Sequence, residues 1–264
     1  MRSTIALFSL LAACTPGTTS KTPTGDGEAQ EDMHAWGYMG PGAPVHWGQL
    51  SGDYAKCATG QAQSPIDLRP IAKSDVDALA IAYKPDDLRV VNNGHSIQVN
   101  HRAASSIMVG DHSFRLLQYH FHSPSEHTES GHAHALELHL VHQDDVGNYA
   151  VVAVFFDEGE DNSADDPWHH LPKQADGVEH EYVGEQVNPA DLLPASLVHY
   201  QYHGSLTTPP CTESVTWNVL VESVTMSAER IARFREQYSA NARPVQARAG
   251  SCLAPHFIGV SGGG

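Results

Sequence analysis

The sequence predicts a mainly β protein of the α+β class, with one large, mostly antiparallel central sheet and short peripheral helices. Apolar and polar residues alternate strictly over residues 135–142, which places Glu137, His139 and Val141 on one face of a strand. Residues 150–156 form a continuous apolar run, which is typical of a strand buried on both faces. Helical patterns are few, and their scarcity favours a core built around the sheet.

The other predicted elements surround these two strands. Further strands are predicted over residues 88–91, 96–100, 114–122 and 215–221. The first two form a hairpin, because the Asn92-Asn93-Gly94 sequence between them is a strong turn signal. Ser227 is placed to cap a helix over residues 228–238, and the residues from Asp165 to Trp168 predict the start of a second helix.

The composition narrows the possible functions. The 264 residues include 15 Lys and Arg against 31 Asp and Glu, a formal net charge of −16. A chain this acidic does not neutralise a phosphate backbone, so we expect no nucleic-acid partner. No apolar run approaches the roughly 20 residues of a membrane-spanning helix. The 18 histidines are the unusual feature, because histidine is the commonest metal ligand and the usual proton carrier near neutral pH.

The N-terminus predicts export. Residues 1–13 have the length and apolar character of a signal peptide, and Leu11-Ala12-Ala13 precedes Cys14 as in a bacterial lipoprotein signal. We therefore expect a periplasmic or cell-envelope protein that contacts the membrane only through a lipid on Cys14, with an ordinary secretory signal as the alternative. The predicted organisation is a signal peptide over 1–13, a flexible tether over 14–33, one folded domain over 34–260 and a loose tail over 261–264.

Three histidines on two predicted strands indicate a metal site. His120 and His122 are two residues apart on one strand, so their side chains share a face. His139 lies on the next strand, and the loop between them allows antiparallel pairing that brings the third imidazole beside the first two. Three neutral imidazoles with one open position are the ligand set of a catalytic zinc.

Two polar residues support this interpretation. Gln118 and Glu137 each lie two residues before a candidate ligand, on the same strand face, where each can accept an imidazole N–H and fix the orientation of the ring. A single His-x-His pair would be weak evidence in a chain so rich in histidine, and core or surface histidines would explain it better. The third strand histidine and the polar partners make the metal site the stronger hypothesis.

Seven sequence motifs, in order along the chain, are similar to those of a known family. They are Trp36-Gly37-Tyr38, His46-Trp47-Gly48, Gln63-Ser64-Pro65-Ile66-Asp67, Asn92-Asn93-Gly94-His95, the run from Gln118 to His127, the run from Glu137 to His142, and the run from Gly204 to Cys211 followed by Val215-Thr216-Trp217. Over residues 34–258 the chain resembles the α-class carbonic anhydrases of the bacterial exported type. The resemblance implies a twisted sheet with zinc at the base of a cone-shaped cleft.

The resemblance also implies a role for each matching residue. His120, His122 and His139 match the zinc ligands. Thr207 matches a threonine that accepts a hydrogen bond from the zinc-bound hydroxide and donates its own to Glu126, and His95 matches the histidine that shuttles protons to solvent. The apolar pocket for CO2 is matched by Val141, Val151, Leu206 and Trp217, with Thr208 beside it; Tyr38 and Thr208 match polar residues that order the solvent.

The implied function is the reversible hydration of CO2 to bicarbonate and a proton. Zinc lowers the pKa of bound water to about 7, so that hydroxide is present at neutral pH to attack CO2. An imidazole on a turn, with a pKa of about 6.5, suits the proton transfer that follows. The sequence leaves the oligomeric state open, either monomer or dimer.

Three cysteines of the predicted folded domain could form a disulfide. The spacing of Cys57, Cys211 and Cys252 does not determine which two form a disulfide. In exported bacterial members of the resembled family, a cysteine near Trp47 pairs with the cysteine after Thr-Thr-Pro-Pro, and Cys57 and Cys211 stand at those places. This pairing would restrain the loop of Thr207 and leave Cys252 as a free thiol.

Two other functions fit parts of the pattern. His120, His122 and Glu126 are spaced like the start of a cupin metal motif, in which the glutamate is a fourth ligand, but the glycine spacing and the second cupin motif are absent. The non-enzymatic alternative is a lipid-tethered protein that binds zinc or CO2/bicarbonate without catalysis. Loss of catalysis would show as a missing ligand or as a replacement of Thr207 or Glu126, and none is missing or replaced.

Overall fold

The structure is a computed structural model that describes residues 35–69, 76–161, 170–238, 240–247 and the backbone of 259–260. The strands are β1 (Asp67–Leu68), β2 (Leu79–Ala82), β3 (Asp86–Asn92), β4 (Ile97–Asn100), β5 (Ser106–Val109), β6 (His112–His122), β7 (Thr128–Glu129), β8 (His132–Ala133), β9 (Leu136–Gln143), β10 (Tyr149–Glu158), β11 (Glu179–Val187), β12 (His199–Ser205), β13 (Glu213–Leu220), β14 (Val224–Met226) and β15 (Gly259–Val260). The helices are α1 (Trp47–Leu50), α2 (Lys56–Thr59) and α3 (Ala228–Gln237), with 3₁₀ turns at Gly40–Gly42, Pro44–His46, Gly52–Tyr54 and Pro189–Leu192.

One sheet dominates the described part of the chain. Its central path runs β11-β3-β4-β6-β9-β10-β13-β12-β15, while β5 pairs with β6 and β2, and β14 pairs with β10. Most neighbours are antiparallel, but β10 pairs in parallel with β13 and with β14, so the sheet is mixed. A small second sheet contains β1, β7 and β8. The predicted mainly β class and the large, mostly antiparallel sheet are confirmed.

The alternation of side chains divides the centre of the sheet into two faces. On one, which we call the apolar face, Phe121, Leu138 and Val154 belong to a cluster of buried hydrophobic residues. On the other, which we call the site face, β9 presents His139 and Val141, and the neighbouring strands add a second apolar cluster. Both faces are covered, which explains why β9 and β10 are buried almost throughout.

Helix α3 covers part of the apolar face, as its spacing predicts. The hydroxyl of Ser227 accepts a hydrogen bond from the backbone N–H of Arg230, which caps the helix, and Ile231 and Phe234 pack into the apolar cluster. Burying a side chain of this size contributes about 1.5–3 kcal/mol of hydrophobic stabilisation. The second predicted helix, at Asp165 to Trp168, lies outside the described residues.

Several strands carry no clear sequence signal. The edge strand β11 is rich in glutamate and exposed side chains, and only its pairing with β3 identifies it as a strand.

No helix of the described residues is long and apolar enough to cross a membrane. The predicted signal peptide, the predicted tether with Cys14, Cys252 and the predicted tail also lie outside the described residues.

Candidate metal centre

Strand pairing brings the three candidate ligands together on the site face. His120 on β6 lies directly opposite His139 on β9. His122 follows on the same face of β6, and the ring centroids of the three imidazoles are 4.6–5.3 Å apart. One ring nitrogen from each lies within 4.8 Å of the other two. The two strands therefore place three imidazoles around one point, as the spacing predicts.

One nitrogen of each ring is held by a hydrogen bond, which leaves the other free for a metal. His120 Nδ1 donates to Gln118 Oε1 at 2.8 Å, and His139 Nε2 donates to Glu137 Oε1 at 2.8 Å. His122 Nδ1 donates to the backbone carbonyl of Asn241 at 2.6 Å. Because each donating nitrogen carries the proton, the lone pairs available to a metal are those of Nε2 in His120 and His122 and Nδ1 in His139.

The surroundings of these rings fit a metal ion. His122 Nε2 is buried and has no hydrogen-bond partner among the described residues, an arrangement that a coordinated metal would satisfy. Burial lowers the pKa of His120 and His122, and the neighbouring imidazoles add to the effect, so both rings favour the neutral form that binds metal. Since His120 is partly exposed while the other two rings are buried, the site has one open side. Three imidazoles with one open side fit a catalytic zinc.

Glu137 is the centre of a buried hydrogen-bond network behind His139. Its Oε1 also accepts from His127 Nδ1 at 2.6 Å, and its Oε2 accepts the backbone N–H groups of Glu126 and His127 at 2.8 Å. Burial acts to raise the pKa of Glu137, but the attraction and hydrogen bonds of His127 and His139 outweigh it, so the pKa lies well below its usual value. His127, Glu137 and His139 could also be grouped as metal ligands, but the hydrogen bonds indicate a network that orients His139.

Glu126 lies beside the imidazoles with one carboxylate oxygen available. Its Oε1 accepts the backbone N–H of Arg243 at 2.8 Å. Its Oε2 is 3.6 Å from His122 Nε2 and 3.9 Å from His139 Nδ1, and it has no hydrogen-bond partner among the described residues. The hydrogen bond from Thr207 that the resemblance implies is therefore not formed at this oxygen, although Thr207 is buried.

The predicted pocket residues lie next to the candidate ligands. Val141, Val151 and Trp217 are paired across β9, β10 and β13, and they share one buried cluster with Leu206. The ring of Trp217 is 4.9 Å from that of His139. Val141 lies two residues after His139 on β9, so the side chains of both residues face the same side of the sheet. The structure thus joins an apolar surface to the candidate metal site.

His95 lies on a turn beside this face. Gly94 adopts a φ of +85°, a left-handed conformation that glycine tolerates best. The side chain of Asn93 accepts the backbone N–H groups of His95 at 2.9 Å and Ser96 at 2.8 Å, which fixes the turn locally. The half-buried imidazole of His95 stacks on Trp36, with ring centroids 3.5 Å apart, and burial lowers its pKa.

Tyr38 and the loop of Thr207 and Thr208 complete the group of predicted residues. The Tyr38 hydroxyl is buried with no hydrogen-bond partner among the described residues, and burial raises its pKa, with smaller contributions from Glu126 and Tyr238. The Thr208 carbonyl accepts the backbone N–H of Cys211 at 2.9 Å. Cys57 and Cys211 form the disulfide that the resemblance implies, with their Cα atoms 5.1 Å apart.

Comparisons with known proteins identify the family. The family model for eukaryotic-type carbonic anhydrase matches residues 42–249, most of the chain. The chain belongs to the α-carbonic anhydrase family. A carbonic anhydrase of Pectobacterium carotovorum is 41% identical over 220 residues, which cover 83% of this chain and 89% of the relative. A carbonic anhydrase of Nostoc is 39% identical over 217 residues, covering 80% of this chain and 82% of the relative.

A solved α-carbonic anhydrase shares the fold. The enzyme of Thermovibrio ammonificans, solved in complex with the inhibitor sulfanilamide, is 40% identical with a TM-score of 0.77, and the match covers 81% of this chain and 96% of that structure. Membership of the α-carbonic anhydrases makes the protein an enzyme, with CO2 and bicarbonate as the substrate and product that the family implies. The cupin and non-catalytic alternatives are not favoured.

Sequence reasoning missed several residues of the α-carbonic anhydrase site. Asn241 contributes through its backbone carbonyl and Arg243 through its backbone N–H, and neither contact depends on residue type in a way that a sequence pattern reveals. His127 is another: its Nε2 is 2.6 Å from the hydroxyl of Tyr202, which in turn donates to Ser64 at 2.9 Å. Its position directly after Glu126 in a recognised motif is the only sequence signal that could have indicated it.

Proposed function

We propose that the protein catalyses the reversible hydration of CO2 to bicarbonate and a proton, with zinc held by His120, His122 and His139. The observation that carries the proposal is the set of hydrogen bonds behind the three imidazoles. Each ring donates one N–H to a fixed acceptor, and the remaining nitrogens lie within 4.8 Å of one another. A zinc ion bound there supplies a Lewis acid that lowers the pKa of water to about 7.

The apolar pocket is suited to hold CO2 next to these ligands. Val141, Val151 and Trp217 are buried and carry no charge toward the pocket, so they exclude water and favour an uncharged, apolar substrate. The Trp217 ring contacts the His139 ring, and its indole N–H donates to the Ser205 carbonyl at 3.0 Å, which fixes the ring plane. Leu206 borders the same cluster, and Thr208 follows Thr207 on the loop that the disulfide restrains.

Glu126 and Thr207 are proposed to orient the attacking oxygen. The backbone N–H of Arg243 holds one carboxylate oxygen of Glu126, and the second oxygen remains as an acceptor beside the imidazoles. We propose that the Thr207 hydroxyl donates to this oxygen during catalysis. With its proton committed to Glu126, the threonine oxygen can only accept a hydrogen bond from the attacking group. Since an unpaired buried carboxylate oxygen is costly, formation of this bond is favourable.

His95 is proposed to carry the proton to solvent. Its imidazole is half-buried and its pKa is lowered by burial, so at neutral pH the ring is predominantly neutral and can accept a proton. The ring stacks on Trp36, and Asn93 fixes the backbone of the turn that carries it. Tyr38 is proposed to order solvent between the site and this ring.

The decisive experiment measures CO2 hydration by stopped flow on the purified full chain, before and after zinc removal. We expect hydration that disappears with the metal and returns on addition of zinc. An exposed histidine on β12 provides the matched control, because His203→Ala should retain both metal and activity whereas His122→Ala should lose both. A folded, zinc-loaded protein without hydration activity would contradict the proposal.

We also propose export and a lipid anchor at Cys14. A disulfide between Cys57 and Cys211 supports an oxidising compartment, because such bonds persist outside the cytoplasm. Mass spectrometry of the N-terminal peptide, with Cys14→Ser as the control, tests the anchor. An acylated cysteine at the mature N-terminus is expected, and an unmodified cysteine or cleavage at another residue would contradict it.

A further inference from the structure

Asn241 joins two parts of the proposed mechanism, one through its backbone and one through its side chain. Its backbone carbonyl accepts from the candidate ligand His122 at 2.6 Å, while its side-chain Nδ2 donates to the backbone carbonyl of His95 at 3.1 Å. The same Nδ2 donates to the carbonyl of Phe121 at 3.0 Å. One buried residue therefore contacts both a metal ligand and the turn that carries the proton shuttle.

Every polar atom of Asn241 has a partner, which makes its position well determined. Its Oδ1 accepts the backbone N–H of Ser123 at 2.8 Å, and its own N–H donates to the Ser123 carbonyl at 3.2 Å. Since Phe121 and His122 end β6 and Ser123 follows directly, Asn241 is fixed to the strand that supplies two ligands. A fully satisfied buried amide of this kind holds one geometry.

The turn of His95 is held by several hydrogen bonds, and they differ in which part of the turn they fix. Asn93 accepts the N–H groups of His95 and Ser96, so it shapes the turn but does not place it relative to the metal site. In the described part of the chain, the Asn241 amide is the only hydrogen-bond donor to the His95 carbonyl. This bond holds the His95 carbonyl itself to the end of β6, whereas the next residue, Ser96, is held to β6 by its own hydroxyl, which donates to the Phe121 carbonyl at 2.5 Å.

We propose that Asn241 is a positioning residue that sets the distance between the metal site and the His95 imidazole. The inference rests on the proposed function, in which His95 carries the proton away. Proton transfer depends steeply on geometry, so a His95 backbone that is no longer held at its own carbonyl slows this step. The attack on CO2 does not involve His95, and the backbone carbonyl that holds His122 is present whatever side chain occupies position 241.

The test separates the two steps by kinetics. In weak buffer kcat reports proton transfer, whereas kcat/KM for CO2 reports the attack. For Asn241→Ala we expect kcat in weak buffer to fall about 10-fold while kcat/KM changes by less than about 2-fold. A high concentration of imidazole buffer should restore kcat. Asn241→Leu keeps a similar volume and removes the donor without adding a charge, and it gives the same readout if the alanine variant does not fold.

A matched control distinguishes positioning from general loss of stability. Asn218 is a buried amide on β13 that contacts the Val151 carbonyl at 3.4 Å and Gln201 at 3.1 Å. It is paired with Val152, whose side chain belongs to the apolar face, so it lies on the face opposite the ligands. Asn218→Ala should lower the midpoint of thermal unfolding and leave kcat in weak buffer unchanged. If Asn241→Ala behaves in the same way, its role is structural only and the inference is wrong.

A double-mutant cycle with His95→Ala completes the test. If Asn241 acts through His95, adding Asn241→Ala to His95→Ala causes no further loss of kcat in weak buffer. Additive losses, or a parallel fall of kcat, kcat/KM and zinc content, would overturn the inference, since the residue would then act through His122. If the unmodified chain does not hydrate CO2, or His95→Ala leaves kcat unchanged in weak buffer, the proposed function or its shuttle fails instead.

Discussion

The two faces of the central sheet are built from the same strands and differ in what they bury. Phe121 and Leu138 point into the apolar face, where the clustered side chains are hydrophobic. Their chain neighbours His122, Glu137 and His139 point into the site face, where buried polar groups are each held by a specific hydrogen bond. The apolar face is stabilised by the burial of hydrophobic surface. The site face is stabilised by a hydrogen-bond network in which each group depends on its partners.

This difference shows how the fold separates stability from function. The apolar face tolerates conservative changes in shape, since its stabilisation is non-directional. The site face has buried charges and imidazoles whose cost of burial is offset only while every partner is present. Neighbouring residues on one strand should therefore give opposite kinds of variant: loss of activity on one face and loss of stability on the other.

The largest expected effect is on the site face. Removing the ring in His122→Ala deletes one of three ligands, so we expect zinc to be lost and CO2 hydration to fall by about 1,000-fold or more. Zinc content by elemental analysis and stopped-flow hydration check this expectation. A His122→Ala protein that retains both zinc and activity would show that the metal is held elsewhere.

The counterpart on the apolar face is Leu138→Ala. This change leaves a cavity in the large cluster and should lower the free energy of unfolding by about 2–5 kcal/mol. The kcat/KM of the protein that remains folded should stay within about twofold, because Leu138 points away from the ligands. Denaturant unfolding and stopped flow measure the two quantities; a loss of activity with unchanged stability would reverse the assignment of the faces.

A smaller effect is expected for the network behind the ligands. Glu137→Gln keeps the shape but removes the charge that accepts N–H groups from His139 and His127, so we expect zinc affinity to weaken by about 10- to 100-fold. Competition with a chelator measures this affinity. Glu129→Gln is the control, since Glu129 is partly exposed on β7 and its carboxylate contacts His134 and Tyr200 rather than a candidate ligand. Equal affinities for the two variants would show that the network does not support the metal.

The effect furthest from activity concerns pH and a histidine outside the site. His142 Nδ1 donates to the Ala150 carbonyl and its Nε2 accepts from Tyr83, and burial lowers its pKa to about 3. His101 is a further titratable group that acts on it electrostatically. Because the unfolded chain binds this proton near pH 6.5, His142 stabilises nothing above that pH and costs stability as the pH falls from about 6.5 toward 3, at about 1.4 kcal/mol per unit.

The variant His142→Gln should remove this dependence. Its free energy of unfolding, measured by urea titration between pH 7 and 4, should fall less steeply than that of the unmodified protein, by about one bound proton. His203→Gln on the exposed side of β12 should leave the slope unchanged. Parallel slopes for all three proteins would contradict the assignment of His142 as a buried neutral group.

Much of the sheet could be predicted because its strands carry local signals. The alternation around His139, the apolar run that became β10 and the turn at Asn93 each specify an element without reference to distant residues. The parallel pairing of β10 with β13 could not be predicted, because it depends on which distant strands meet. The exposed edge strand β11 was missed for the same reason.

The candidate site divides in the same way. The three ligands with Gln118 and Glu137 follow a two-residue period on strands, so spacing alone indicates them. The roles of His95, Glu126 and Thr207 came from the resemblance and remain proposals. Asn241 contacts His122, and Arg243 contacts Glu126, through backbone atoms of a segment more than 100 residues away, so no spacing rule connects them to the ligands.

The most direct test of this account is X-ray absorption at the zinc edge on the zinc-loaded full chain. Its central claim is that three imidazoles on the site face hold the metal and leave one position open. We expect a first shell of nitrogen and oxygen at about 2.0–2.1 Å, with the outer-shell scattering of three imidazoles. A sulfur ligand at about 2.3 Å, or fewer than three imidazoles, would contradict that claim.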